Sequence, residues 1–185
     1  MIKKELGKTF QHAGIYSLGV ILSRGISFLM LPIYTRFLSP ADYGVLELLE
    51  MTVEVISIIT GMGILQGMAK FYYQYDEEKD RKELVSTIFI LIVSGYSLTC
   101  LFGGLFSSNI SRLVFSSTEY TYLIMVSFLN LFLQITVFTS LTFIRVQQKS
   151  WLFVTVNAVK LIIQLFLNIL FVVYFKMGVI GILYS

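Results

Sequence analysis

Residues 151–175 read WLFVTVNAVKLIIQLFLNILFVVYF and carry a single charge, Lys160. A helix needs about 20 predominantly apolar residues to cross the hydrocarbon core of a bilayer, and this run is long enough. A strand reading fails, because membrane β-strands alternate polar and apolar residues over about ten positions. On a helix, Asn157, Lys160, Gln164 and Asn168 recur at i, i+3, i+7 and i+11, a polar stripe down one side of an apolar rod. Such a stripe faces a bundle interior or a watery cavity. Its simplest alternative is hydrogen bonding between helices, worth on average about 0.6 kcal/mol per bond in membranes. Lys160 tilts the balance toward a watery path, because amide glue needs no charge.

Four further runs share this character, at residues 13–34, 46–72, 84–106 and 120–144. The expected fold is therefore all-α: a polytopic membrane helical bundle with five full spans. Composition agrees, with 56% hydrophobic and only 14% charged residues in 185. Soluble domains average about 25% charged residues, so this chain lacks the polar surface to cover a core in water. Residues 179–185 begin a sixth apolar run, whose seven residues rise only about 10 Å as helix, a third of a bilayer. The expectation is that the chain is a piece of a longer one. Of the charged residues only Arg24, Glu47, Glu50, Glu54, Lys70 and Lys160 fall within the five runs.

The charges between the runs and at their ends set topology. With the N-terminus in the cytoplasm, Lys3, Lys4, Lys8, Lys70, Lys79, Arg81, Lys82, Arg145 and Lys149 lie on or beside the cytoplasmic side, and only Arg36, Arg112 and Lys176 face outward. Residues 76–83 mix both signs at helical spacing and read as a solvated cytoplasmic loop. No basic patch interleaved with aromatics appears, which argues against a nucleic-acid partner. One cysteine, Cys100, and one histidine, His12, leave no basis for a disulfide framework, a metal centre or a catalytic triad. Phosphate-cradling glycine loops and nucleophile elbows are absent too, so no cofactor is expected and the chain does not read as an enzyme.

The first run leads into Pro32-Ile33-Tyr34-Thr35-Arg36-Phe37-Leu38-Ser39-Pro40-Ala41-Asp42-Tyr43-Gly44. Ser39-Pro40 reads as an N-cap followed by a first-turn proline, with Asp42 placed to favour the helix dipole. That segment resembles the polysaccharide biosynthesis proteins, the lipid-linked oligosaccharide flippases of bacterial cell envelopes that move O-antigen and related glycans for lipopolysaccharide. Gly61-Met62-Gly63-Ile64-Leu65-Gln66-Gly67-Met68-Ala69-Lys70-Phe71-Tyr72 is similar to the same family. So are Ile144-Arg145-Val146-Gln147-Gln148-Lys149-Ser150 and Gly178-Val179-Ile180-Gly181. The resemblance covers nearly the whole chain with its parts in order. It implies the multidrug/oligosaccharidyl-lipid/polysaccharide exporter superfamily, with two six-helix lobes around a central cavity. Residues 1–185 would be the N-terminal transmembrane lobe, cut within its sixth helix and inactive without the C-terminal lobe.

The implied activity is movement of an undecaprenyl-diphosphate-linked oligosaccharide across the bacterial cytoplasmic membrane by alternating access, with membrane lipid around the tail. Arg24 lies near the middle of the first span, and an arginine there costs roughly 2.5–3.5 kcal/mol unless it faces protein or water. It is either a cavity cation for the diphosphate or the partner of Glu54, which falls at a similar depth on the second span. Ser23-Arg24 is similar to a pair in the related peptidoglycan-precursor flippases. A second arginine of those relatives is replaced here by Met30. Glu47, Glu50 and Glu54 share one helix face within about 60°, and the deepest, Glu54, is the candidate for ion coupling. The candidate substrate residues are Arg24, Asn157, Lys160, Gln164 and Asn168. Asn130 and Gln134 on the fourth span read as packing. A multidrug or small-solute exporter of the same superfamily is the nearest alternative. A membrane-embedded envelope polysaccharide enzyme and a non-catalytic assembly subunit are the others.

Overall fold

A computed structural model describes residue 28 and residues 30–185, and among them every regular element is helical, with no strand. Two compact units divide the chain, Met1–Tyr43 with Ile144–Ser185 and Gly44–Phe143.

In the first unit residues 30–37 are helical and end at Leu38 and Ser39. Helix α1 (Pro40–Thr60) then starts at the proline that the sequence marks. The Ser39 amide and hydroxyl both donate to Asp42 Oδ2, at 2.8 and 2.7 Å, and the Asp42 amide donates back to Ser39 Oγ at 3.2 Å. This is a reciprocal capping box, with aspartate in the place usually held by glutamate. At the other end of the chain, α6 (Ser150–Asn168) continues without a break as a π-helix, Ile169–Tyr174. That wider winding shows in the amide of Phe175, which reaches the carbonyl of Leu170 at 3.0 Å. Lys176 closes the helix in the left-handed conformation, and the short α7 (Val179–Leu183) follows Gly178.

The second unit holds the rest of α1, then α2 (Met62–Tyr72), α3 (Glu78–Leu105), α4 (Ser107–Phe115) and most of α5 (Thr121–Val146). Its core joins Leu65 and Met68 of α2, Ile88, Ile92 and Tyr96 of α3, and Leu131 and Ile135 of α5. The i, i+4, i+8 spacing on α3 makes one ridge that buries against its neighbours. Two polar ties add to it: Ser57 Oγ lies 3.0 Å from Tyr96 Oη, and Thr60 Oγ1 lies 3.1 Å from Thr99 Oγ1. Gly103 lets α5 come close. A Cβ there would lie 2.5 Å from Cγ of Phe128, which is itself buried.

Membrane helices come out as follows. Glu78–Leu105, Thr121–Val146 and Ser150–Tyr174 are each long and apolar enough to cross a bilayer. The expected second span, residues 46–72, is not one continuous helix. It breaks at Gly61, whose φ of 138° strongly favours glycine, and its two halves are bent by 49°. Counting that bent pair, up to four spans stand among the described residues. The expected first span falls mostly outside them, so the count of five is not reached here. Of the expected sixth, only the five residues of α7 are helical.

Candidate functional site

The polar stripe of α6 does project from one side of that helix, since Asn157, Lys160, Gln164 and Asn168 fall within an arc of about 80° at 100° per residue. Their surroundings differ sharply. Lys160 and Gln164 are exposed and Asn157 is partly so, while Asn168 is 3% exposed. Lys160 forms no ion pair among the described residues. It lies ten residues, close to 15 Å, into a helical run of 25 that is long and apolar enough to cross a bilayer.

Asn168 closes the stripe on its C-terminal side, with both sides of its amide engaged. Its Oδ1 accepts from the Tyr34 hydroxyl at 2.8 Å, and its Nδ2 donates to the Gln164 carbonyl at 3.1 Å. The bond to Tyr34 ties the helical segment 30–37 to α6. The π-winding begins at the next residue, Ile169. Single π turns inside α-helices cluster at functional sites, where they re-aim side chains and loosen the regular ladder. Asn168 thus holds the junction between a regular and a loosened stretch of one span. Residue composition carries no sign of this: Ile169-Leu170-Phe171-Val172-Val173-Tyr174 reads as ordinary apolar helix.

In the second unit Glu47, Glu50 and Glu54 are all exposed on α1. The break at Gly61 comes two turns beyond Glu54, just past the Ser57–Tyr96 and Thr60–Thr99 ties. Those ties hold α1 to α3 up to the break, and the apolar core holds α2 below it. Asn130 is partly exposed and hydrogen-bonded or otherwise partnered, and Gln134 is exposed. Arg24, its neighbour Ser23 and His12 lie outside the described residues, so the proposed meeting of Arg24 with Glu54 lies outside them too. No group of three or more His, Cys, Asp or Glu side chains gathers as a metal site among the described residues.

The segment 76–83 packs its charges locally. Lys82 Nζ meets Glu78 Oε1 at 2.9 Å, one turn apart on the first turns of α3. Arg81 donates from Nε to the Tyr75 carbonyl at 2.7 Å and lies 5.3 Å above the Tyr72 ring. The hydrogen bond from Lys82, and then its charge, hold the Glu78 carboxyl below the usual range, and the same contact raises Lys82.

Against known families, the polysaccharide biosynthesis protein family matches residues 10–185. The chain belongs to that family. The match takes in the capping box, the broken α1–α2 pair, the stripe of α6 and the π-winding alike. With its apolar helices, membership makes the chain a membrane protein. No curated protein and no solved structure gives a match.

Proposed function

We propose that the chain is the N-terminal lobe of a transporter that flips a lipid-linked oligosaccharide, carried on undecaprenyl diphosphate, across the bacterial cytoplasmic membrane. The observation that carries this reading is Lys160, which forms no ion pair among the described residues and stands exposed about halfway along the apolar run of α6. A lysine halfway along a span is costly against lipid tails, so it belongs to a wet path or to a bound anion. A diphosphate head group is such an anion, and family membership supplies the glycan context. Asn157 and Gln164 flank Lys160 as donors and acceptors for sugar hydroxyls. Arg24 adds a second cation to the path, and Glu54 couples the cycle to an ion. The N-terminus lies in the cytoplasm, and the C-terminal lobe supplies the facing wall. The protein moves its substrate without transforming it.

Alternating access needs places where spans flex. The break at Gly61 and the π-winding after Asn168 supply two, each beside a firm anchor: the Ser57–Tyr96 tie for the first and the Tyr34–Asn168 bond for the second. A second reading, export of cationic drugs, draws on the exposed face of Glu47, Glu50 and Glu54, which suits a cationic substrate.

One reconstitution separates the two. The protein expressed from its complete gene is placed in liposomes with a fluorescent undecaprenyl-diphosphate oligosaccharide and, separately, with a cationic dye. Protein-dependent movement of the lipid-linked sugar between leaflets is expected. Transport of the dye without movement of the lipid would replace the flippase reading with the exporter.

A further inference from the structure

Helix α4 occupies a stretch, Ser107–Phe115, that reads from sequence as part of a short loop between two spans. Its three sides have different chemistry. One side is buried and made of serine: Ser107 is 6% exposed and Ser111 is fully covered, with Ser111 Oγ donating to the Ser117 carbonyl at 2.6 Å. The second side is apolar and faces outward. Phe106, Ile110 and Leu113 fall within about 60° of one another, and Leu113 is 85% exposed. The third, next to it, holds Asn109 and Arg112, both exposed. In water this arrangement is inverted, because the helix buries hydroxyls and exposes its leucine.

The inversion disappears if the outward apolar side meets acyl chains. Helix α3 is long and apolar enough to cross the membrane, and its strip of Leu98, Leu101, Phe102 and Leu105 is exposed. Phe106 follows that strip directly in the chain, and on α4 Leu113 shares its side. Arg112, on the adjoining side, forms no ion pair among the described residues, and lipid phosphate at that level complements it. A helix split lengthwise into apolar and basic sides is the pattern of one lying in the membrane surface.

We infer that α4 lies in the membrane–water interface, with Phe106 and Leu113 among the upper acyl chains and Arg112 on the phosphate of an anionic phospholipid. The occupant of this surface is the bilayer itself. The inference stands independently of which substrate the protein carries. The helix anchors the α3–α5 connection at a set depth while the spans beside it move.

The test uses the protein expressed from its complete gene with native cysteines changed to serine. Nitroxide labels are attached singly at Phe106→Cys, Asn109→Cys and Leu113→Cys, with Ile90→Cys on α3 as the lipid-facing reference. In nanodiscs of phosphatidylcholine and phosphatidylglycerol, labels at 106 and 113 should be several-fold more accessible to oxygen than to a water-soluble nickel chelate, as at 90. The label at 109 should show the reverse. High nickel accessibility at 106 and 113 would overturn the inference by placing α4 in water. Shielding of both positions from both reagents would overturn it by showing a protein partner on that face.

A second arm reads the phosphate contact. A tryptophan at Leu113→Trp, in a background without other tryptophans, is quenched by brominated phosphatidylglycerol or brominated phosphatidylcholine. Arg112→Ala should lower the preference for the anionic lipid about fivefold, the factor given by ~1 kcal/mol per surface arginine. An unchanged preference would remove Arg112 from the contact.

Discussion

Gly103→Ala is the sharpest perturbation of the packing. The added methyl carbon falls 2.5 Å from both Cγ and Cε1 of Phe128, against the ring rather than its rim. Carbon atoms settle at about 3.5–4.0 Å, so ring or helix must retreat by about 1 Å. Phe128 is 2% exposed and has no free space to turn into, which puts the strain on the spacing of α3 and α5. Overpacking of this kind costs about 1–3 kcal/mol. The assay is reversible unfolding in mixed micelles of dodecyl maltoside and SDS, read by circular dichroism. Phe128→Leu supplies the control, since a smaller side chain makes room for the methyl. The double variant should then be more stable than the sum of the two single losses predicts, by roughly 1 kcal/mol or more. If Gly103→Ala unfolded at the wild-type midpoint, or if the two losses simply added, the close crossing of α3 and α5 at this glycine would be refuted.

Other perturbations test the remaining joints. Tyr34→Phe removes the hydroxyl that bonds to Asn168 and should cost about 0.6 kcal/mol, with about 1.7 kcal/mol as the upper end for membrane hydrogen bonds. The same unfolding assay reads it, and no loss would mean that the bond does not tie the helices. Gly61→Ala puts a side chain on a backbone at φ 138°, so it should destabilise by more than about 1 kcal/mol and slow flipping in liposomes. Full transport by that variant would take the break out of the mechanism. Lys82→Met should let the Glu78 carboxyl rise toward its ordinary range, followed by carbon NMR of the side chain. Because that carboxyl is lowered in the folded chain, its small favourable contribution is present above the unfolded pKa and fades as pH falls through the folded one. Added salt should shrink the effect, since both side chains are exposed. A Glu78 titration unmoved by the substitution would contradict the pairing.

Much of the fold is legible in the sequence because bilayer thickness imposes a length. The run 151–175 maps onto one helical stretch within a residue at each end, and 84–106 lies within α3 but for its last residue, although α3 starts six residues earlier in charges that read as loop. Ser39-Pro40 with Asp42 marks a helix start by chemistry that needs no distant partner. The break in residues 46–72 is different. Gly61, Gly63 and Gly67 are all tolerated in membrane helices, and only the backbone torsion at Gly61 distinguishes it from the other two. The π-winding has no compositional sign at all, because its extra residue per turn depends on which carbonyl each amide selects. Helix α4 falls between the expected third and fourth runs, and only the burial of Ser107 and Ser111 shows that its leucine turns outward.

The site divides along the same line. The stripe of Asn157, Lys160, Gln164 and Asn168 follows from helical period alone. That Asn168 is spent on Tyr34 while Lys160 stays exposed depends on a pairing 134 residues apart in the chain. Periodicity places residues on a face, but it does not name what that face meets. The Ser57–Tyr96 and Thr60–Thr99 ties, each 39 residues apart, escape sequence reading for the same reason.

The central claim is that Lys160 lines the path of an anionic, lipid-linked glycan. Its most direct measurement is the rate of lipid-linked oligosaccharide flipping by Lys160→Ala and Lys160→Arg, each in the protein expressed from its complete gene, with unfolding midpoints determined in parallel. The account predicts that Lys160→Ala loses most of the flipping rate at an unchanged midpoint, while Lys160→Arg retains a large part of it. Wild-type flipping by a stably folded Lys160→Ala protein would contradict it.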